Sequence, residues 1–400
     1  MFKILYLLIA LFLVSCSSQK QESNLLNPTA EPTQEKGDTA SVVKTPTVLL
    51  LSEEWPKIED DLDHEWMILA LDRQIAKFKR MKSNSRIKLG SIVYSFDVFL
   101  TSLEKYRALV ANYRLCQITI NRLSCKAHFA RSVKKYFHMF APVEKGEIKK
   151  AFFTAYHTPQ IQASLVKSKT FNVGIHLKPI EDSLRTSTRN QINFEAALEG
   201  TSYEAMYMED QFDQYLLHIQ GGGKVLYKDF DGQIKTKYLN YDGTNQQSLR
   251  FISKYMKEKG YIKDLSVASQ RRFLAANPEK QREIYSYSPS YVYFKFSDEP
   301  PHGNDAVSLT DNRSIATDYR IYKLKGLLTY VQTERPIKDA GKVKWIPMNR
   351  FMIDHDTGGA IRGPARGDLY FGETKYAAWV ATQMKRRGYK YFLALKPEYL

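Results

Sequence analysis

A mainly β fold with helices gathered at its N-terminus follows from three patterns in this chain. Apolar residues recur every three or four positions over 68–78 and 96–106, the spacing of a helix face. Beyond about 150 short apolar runs punctuated by turn residues take over. Glycine then crowds the C-terminal region, where Asp356-Thr-Gly-Gly-Ala-Ile-Arg-Gly-Pro-Ala-Arg-Gly-Asp368 leads into Leu369-Tyr-Phe-Gly372.

The chain opens with Lys3 before the apolar run Ile4 to Val14, and Leu13-Val-Ser-Cys16 follows. Eleven apolar residues are too few to span a bilayer, so 1–16 is predicted to be a signal peptide. Its end resembles the bacterial lipobox, which implies acylation of Cys16. Several acyl chains on one residue, at about 0.8 kcal/mol per buried CH₂, make a lasting anchor. Ser17 in place of Asp after the cysteine implies, for that class, the periplasmic face of the outer membrane. Residues 17–48 hold Gln, Ser, Glu, Lys, Thr and proline with little to bury, and are predicted to be a disordered tether. As a flexible coil it reaches roughly 30 Å.

The helical periods over 68–78 and 96–106 come next. With Cys16 taken by the lipobox, Cys116 and Cys125 remain in an oxidising compartment and are predicted to pair as a disulfide. A metal pair is the alternative, but His128 is the only histidine nearby, and neither metal nor cofactor is expected. Strands are predicted at Asn172–Leu177, Tyr215–Ile219, Lys224–Tyr227 and Ser290–Phe296. Turns are predicted at Asp231-Gly232, a hairpin signal, and at Asp242-Gly243. Helices are predicted from Leu249 to Lys259, stopped by Gly260, and from Thr374 to Arg387, stopped by Gly388. The glycine-rich stretch from Asp356 reads as a tightly folded loop, with Asp368 opening a short strand. A carboxylate at that junction, ringed by glycine and aromatic residues, is placed to be desolvated and to stay protonated near neutral pH. A loop aspartate capping nearby amides is the other reading.

Formal net charge is +16, which favours an anionic partner. Export removes nucleic acid from consideration. The anionic leaflet, lipopolysaccharide and peptidoglycan carboxylates remain, beside a merely solvated surface.

Ala155-Tyr-His-Thr-Pro159, Arg189-Asn-Gln-Ile192, Phe212-Asp-Gln-Tyr-Leu-Leu-His-Ile-Gln-Gly-Gly-Gly223 and Tyr241-Asp-Gly-Thr-Asn245 occur in order. Ser288-Pro-Ser-Tyr-Val-Tyr-Phe294, Arg313-Ser-Ile-Ala-Thr-Asp318 and the Asp356-to-Gly372 segment complete the series. From about 150 to the end this chain resembles the membrane-bound lytic murein transglycosylase A family. Asp318, Asp356 and Asp368 match its three-aspartate domain, at about 303–396. The resemblance implies a double-psi β-barrel built from 49–175 and 286–400, with a smaller β-rich substrate-binding domain inserted at 176–285. It implies glycan strands of peptidoglycan in the groove between them, and a monomer. The implied reaction cleaves the β-1,4 bond between N-acetylmuramic acid and N-acetylglucosamine and leaves 1,6-anhydromuramic ends.

A glycoside hydrolase normally needs two carboxylates, an acid and a base or nucleophile. When the muramic C6 hydroxyl attacks C1 itself, proximity replaces the second carboxylate, and one residue serves as acid and then base. By matching position that role falls to Asp368. An aspartate near 3.9 must rise by roughly two or three units to serve near neutrality. Asp356, before Thr357-Gly358-Gly359, is the alternative acid; hydrogen bonds to loop amides are expected to keep it ionised and structural. Asp318 is expected to be structural too. Gln220 with Gly221, Gly222 and Gly223 lacks the spacing and the Ser/Thr of a phosphate loop. It is read as a close backbone approach to sugar, with Gln220 bonding hydroxyl or acetamido groups. Tyr156, Thr158, Tyr291 and Tyr293 are read as facing sugar, with core packing the equal alternative. A non-catalytic peptidoglycan-binding lipoprotein and a hydrolase using Glu195, Glu204 or Asp242 are the competing functions.

Overall fold

The computed structural model describes residues 42–400 apart from 63, 120 and 121. The expected signal peptide, Cys16 and most of the expected tether lie outside these residues. The tether expectation fails at its end: Val42–Lys44 and Thr47–Leu49 are strands, because Thr47 is buried and Val48 pairs with Ala141.

Six strands close into a ring. In order they are Leu328–Asp339, Lys342–Asp356, Ser314–Ala316, Arg366–Tyr370, Ala151–Tyr156 and Arg386–Leu395, the last pairing back to the first. Two of the pairings are parallel, Ser314–Ala316 with Lys342–Asp356 and Arg366–Tyr370 with Ala151–Tyr156. The long hairpin turns on Ala340 and Gly341, both at positive φ (47° and 77°), the geometry a two-residue connection between twisted strands requires. Inside the ring Phe153, Ile315, Val331, Met348, Met352 and Leu369 are buried together.

Outside the ring the helices Glu65–Arg80, Phe96–Thr119 and Arg122–Tyr136 cover a second core. Phe351 of the hairpin meets Tyr106 at 4.9 Å and Tyr330 at 4.6 Å between ring centroids. Cys116 and Cys125 form a disulfide joining the second and third of these helices. The segment before the first helix is tied down by charge. Asp60 accepts from both terminal guanidinium nitrogens of Arg313 at 2.6 and 2.9 Å, and Asp61 accepts from Arg350 at 2.7 and 3.1 Å.

A second six-stranded sheet runs Val292–Ser297, Ile234–Thr244, Gly222–Lys228, Gln160–Ser164, Glu204–Met208 and Val173–His176. A bridge from Leu177 to Phe294 brings its two edges together, so it too is barrel-like. Six helices between Asp182 and Ser286 pack around it, among the described residues. The fold is therefore mixed α and β, and the expectation of a mainly β fold is corrected. The strands change sheet outside the expected boundaries at 175 and 286, since Gln160–Ser164, Val173–His176 and Val292–Ser297 all hydrogen-bond into the second sheet.

Three local expectations also change. Tyr215–Ile219 lies in a helix, Gln211–Gln220, whose period five residues are too few to display; Asp210 caps its start and Gly221, at φ 77°, its end. Asp242-Gly243 is a bulge inside Ile234–Thr244 rather than a turn, with Gly243 at φ 124°. The last helix ends at Gln383, and Gly388 lies within a strand. A Cβ there would stand 2.0 Å from the Gln332 carbonyl oxygen, so glycine is required by the neighbouring strand and not by a helix end.

Asp60→Ala strips the wholly buried Arg313 of its carboxylate. It is expected to lower unfolding free energy by about 3–5 kcal/mol in urea titrations. The double variant Asp60→Leu/Arg313→Met is expected to recover part of that loss, because no buried charge is then left behind.

Candidate active site

Strand alternation builds the site. On Ala151–Tyr156 every second residue is buried, which puts Phe152, Thr154 and Tyr156 on the opposite face. The parallel partner presents Arg366, Asp368 and Tyr370 at the same three rungs. Each rung makes a contact. Arg366 lies over the Phe152 ring at 5.2 Å, Thr154 Oγ1 donates to Asp368 Oδ1, and Tyr156 and Tyr370 meet at 5.1 Å between centroids. Arg366 Nη2 donates to Thr154 Oγ1 at 2.7 Å, which leaves that hydroxyl's proton for Asp368.

Asp356 ends a strand two places further along the ring. Ala316 is the register partner of both Asp356 and Asp368, so the short strand Ser314–Ala316 alone separates the two carboxylates. Asp356 accepts three hydrogen bonds. Oδ1 accepts from the Asn304 and Thr357 amides at 2.9 and 2.8 Å, and Oδ2 accepts from the Tyr156 hydroxyl at 2.9 Å. Asp368 differs: its Oδ2 has no hydrogen-bond partner among the described residues and is not sealed from solvent.

Burial pushes the Asp368 carboxyl up to about 6, against the Thr154 hydrogen bond and Arg366, with the nearby Asp356 charge adding to the rise. Burial raises Asp356 as well, and outweighs the two amides and the Tyr156 hydroxyl that oppose it. The expectation that loop amides keep Asp356 at an ordinary carboxylate value is thus corrected, and of those amides only Thr357 donates to it; Gly358 and Gly359 do not. Asp318 is different. Arg320 grips both of its oxygens at 2.9 and 3.1 Å and holds it well below the usual range, while its Oδ2 also accepts from Gly363 N at 2.8 Å. Asp318 is thereby an ionised clasp on the loop after Gly359.

A cavity of about 630 Å³ opens beside this ladder and is walled by both sheets. Tyr156, Thr158, Gln220, Gly221, Gly222 and Asp356 line it together; Asp318, Gly358, Gly359 and Asp368 are not on its wall. Asp356 is the one carboxylate on that wall among the described residues. Glu195 is held by Arg282 and Asn190, Glu204 accepts the Gly200 amide, and Asp242 lies 4.0 Å from Lys295. Thr158 is buried and shares a 2.6 Å hydrogen bond with Tyr370 OH, so its hydroxyl is already used. Gly222 approaches protein backbone and not only the cavity, since a Cβ there would stand 2.6 Å from Leu239 O. Tyr291 and Tyr293 are fully buried, so of the two readings left open for them core packing holds and sugar contact does not. Thr154, Arg366 and Asn304 were absent from the sequence reading. The first two were within reach, because each stands two residues before a chosen residue on an alternating strand.

A family model described as the MltA specific insert domain matches residues 152–295, and one for the 3D domain matches 313–394. The membrane-bound lytic murein transglycosylase A of Escherichia coli is 32% identical over 225 residues, 55% of this chain and 59% of that protein. That of Vibrio cholerae is 29% identical over 249 residues, 61% of this chain and 65% of that protein. The chain belongs to the membrane-bound lytic murein transglycosylase A family. Its match spans 59% of the length of the Escherichia coli relative. Among solved structures, Escherichia coli MltA with bound chitohexaose superposes with a TM-score of 0.66 at 22% identity, covering 88% of this chain and 95% of that one. The membrane-bound lytic murein transglycosylase of Agrobacterium tumefaciens gives 0.65 at 19% identity, covering 87% and 97%. These two likenesses carry the family fold.

A carboxyl whose value rises on folding is penalised when ionised, so Asp368 subtracts stability above pH 6 and the penalty vanishes as pH falls toward 4. Asp368→Asn is therefore expected to melt higher than the parent at pH 7.5, by up to about 2 kcal/mol, and to match it near pH 4. Thermal melts of both proteins across that range check the sign.

Proposed function

We propose that this chain is a lytic transglycosylase of peptidoglycan in which Asp368 acts first as acid and then as base. The observation that carries the reading is a part-buried carboxyl pushed up to about 6 with one oxygen uncommitted, next to a cavity whose single wall carboxylate among the described residues, Asp356, already accepts three hydrogen bonds. The relative crystallised with chitohexaose supports a glycan in this groove. In this reading the closed ring with its two parallel pairs is a double-psi β-barrel. The second sheet and its helices are the inserted substrate-binding domain.

The proton on Asp368 passes to the oxygen joining C1 of N-acetylmuramic acid to C4 of N-acetylglucosamine as the C1–O bond breaks. The N-acetylglucosamine leaves as an alcohol, and positive charge collects at C1 and the ring oxygen. The muramic C6 hydroxyl attacks C1 and gives its proton to the Asp368 carboxylate, which restores the acid and leaves a 1,6-anhydro end. No water is consumed, so no second carboxylate has to activate one. Thr154, backed by Arg366, fixes the carboxyl by Oδ1 and leaves Oδ2 for the glycosidic oxygen. Asp356, Asp318, Gly358 and Gly359 shape the loop around it. Tyr156, Thr158, Gln220, Gly221 and Gly222 form the sugar-facing wall. Hydrolysis is the weaker reading, because Glu195 is engaged by Arg282 and Asn190, Glu204 by the Gly200 amide, and Asp242 lies beside Lys295, none of them on a strand next to Asp368. Acylated Cys16 would hold the enzyme, as a monomer, on the periplasmic face of the outer membrane.

Asp368→Asn cannot donate the proton and is expected to lower turnover on isolated sacculi by 10² to 10⁴, roughly 3–5 kcal/mol, with glycan binding kept. Mass spectrometry of the parent digest is expected to show anhydromuramic ends; reducing ends would identify a hydrolase, and no cleavage a binding protein. The alkaline limb of kcat/KM is expected near pH 6, since activity needs protonated Asp368. Thr154→Ala removes a hydrogen bond that favours the ionised form and is expected to move that limb upward. Cys16→Ala is expected to abolish metabolic labelling with palmitate.

A further inference from the structure

The hairpin of helices Phe96–Thr119 and Arg122–Tyr136 has an inner face that is fully used, with Val110, Tyr113, Phe129 and Val133 buried against the barrel. Its far end carries three large apolar side chains that cover nothing: Leu115, Ile118 and Leu123 are 63%, 82% and 80% exposed. Single exposed leucines are ordinary, but three at one end of one hairpin form a patch. Leu115 and Ile118 are neighbours on one helix face. The Cys116–Cys125 disulfide ties the two helices together just behind all three.

Charge on the same hairpin is one-sided. From Lys105 to Tyr136 the sequence holds eight lysines and arginines and no aspartate or glutamate. Arg107 is paired with Asp72 and Lys134 reaches the Ser52 carbonyl, both toward the body of the protein. Arg114, Lys126 and Arg131 have no carboxylate partner among the described residues. A groove of about 450 Å³ on one flank, lined in part by Lys105, His128, Arg131 and Lys135, contains no carboxylate among the described residues. On the other flank Leu123, Lys126 and Arg131 share a groove with Glu59 and Asp60, the latter already held by Arg313. Apolar side chains leading and basic ones following is the arrangement that seats a protein in the interface of an anionic bilayer. A polymer of carboxylates would satisfy the charge but gives the three apolar side chains nothing to enter.

We propose that the tip of this hairpin docks on an anionic phospholipid bilayer, with Leu115, Ile118 and Leu123 entering the headgroup layer and Arg114, Lys126 and Arg131 meeting lipid phosphates. Among the described residues none of the hairpin lines the catalytic cavity, so the contact is independent of the reaction. The test uses the chain from Ser17 onward without acyl groups, sedimented with vesicles of phosphatidylglycerol and phosphatidylethanolamine, with vesicles of phosphatidylcholine, or with sacculi. Binding to the anionic vesicles is expected to exceed that to neutral ones at least tenfold and to weaken with salt. Leu115→Ser/Ile118→Ser/Leu123→Ser and Lys126→Glu/Arg131→Glu are each expected to lose at least tenfold, with cleavage of soluble glycan unchanged. In a separate chain, Ile118→Trp is expected to blue-shift its emission when anionic vesicles are added. Equal binding to both vesicle types, an apolar variant that binds as the parent does, or an unshifted tryptophan overturns the proposal. If the charge variant instead loses only its binding to sacculi, the face belongs to peptidoglycan carboxylates and the bilayer reading fails.

Discussion

The parallel register between Ala151–Tyr156 and Arg366–Tyr370 is the constraint on which the site rests. Strand side chains alternate with period two, so a slip of one residue would turn Thr154 and Tyr156 into the barrel and Phe153 out of it. Phe153 is wholly buried in the ring's core and Gly367 opposite leaves no room for any side chain, its Cβ position lying 2.9 Å from the Phe153 ring. Packing on one face of the ladder therefore fixes the chemistry on the other. The same pairing closes the ring, which is how residues more than two hundred positions apart come to share a proton.

The three aspartates of the C-terminal region show how neighbouring backbone can hold like groups in unlike states. Asp318 faces a guanidinium and an amide and is ionised in any physiological medium. Asp356 is desolvated but accepts from two amides and a phenol, which occupy three of the four acceptor sites of its carboxylate. Asp368 is desolvated with a single hydroxyl partner. Burial that outweighs its compensation keeps a proton on a carboxyl and raises both Asp356 and Asp368, which differ in the number of donors opposing that rise. Placing both on strands that flank Ala316 adds mutual repulsion, which favours a proton on the less supported of the two.

Much of this was legible in the sequence, and the failures have physical causes. The first two helices were readable because each buries one stripe against a barrel, so their period is long and clean. Tyr215–Ile219 was misread because a helix buried on most of its surface shows no period in five residues, and only Asp210 and Gly221 betray its ends. Gly388 and Gly222 look like stops or ligand approaches, whereas their reason is the backbone of a neighbouring strand that no local pattern can reveal. Asp356 and Asp368 stood out by their glycine surroundings. Thr154 and Arg366 did not, because their importance lies in a cross-strand register between distant segments. The insert's helices were missed where they are short and capped by side chains, as with Thr188 and the helix Arg189–Phe194.

The ring's closure has a further consequence, for the order of folding. The strand Arg386–Leu395 lies between Ala151–Tyr156 and Leu328–Asp339 and also pairs with Phe137–Glu144, so none of these early strands has its full complement of partners until nearly the whole chain is present. Loop closures of such length slow folding, and strands waiting for a partner are exposed to association with other chains. The N-terminal helices, joined by local contacts and one disulfide, are the part that can form while the barrel is still open.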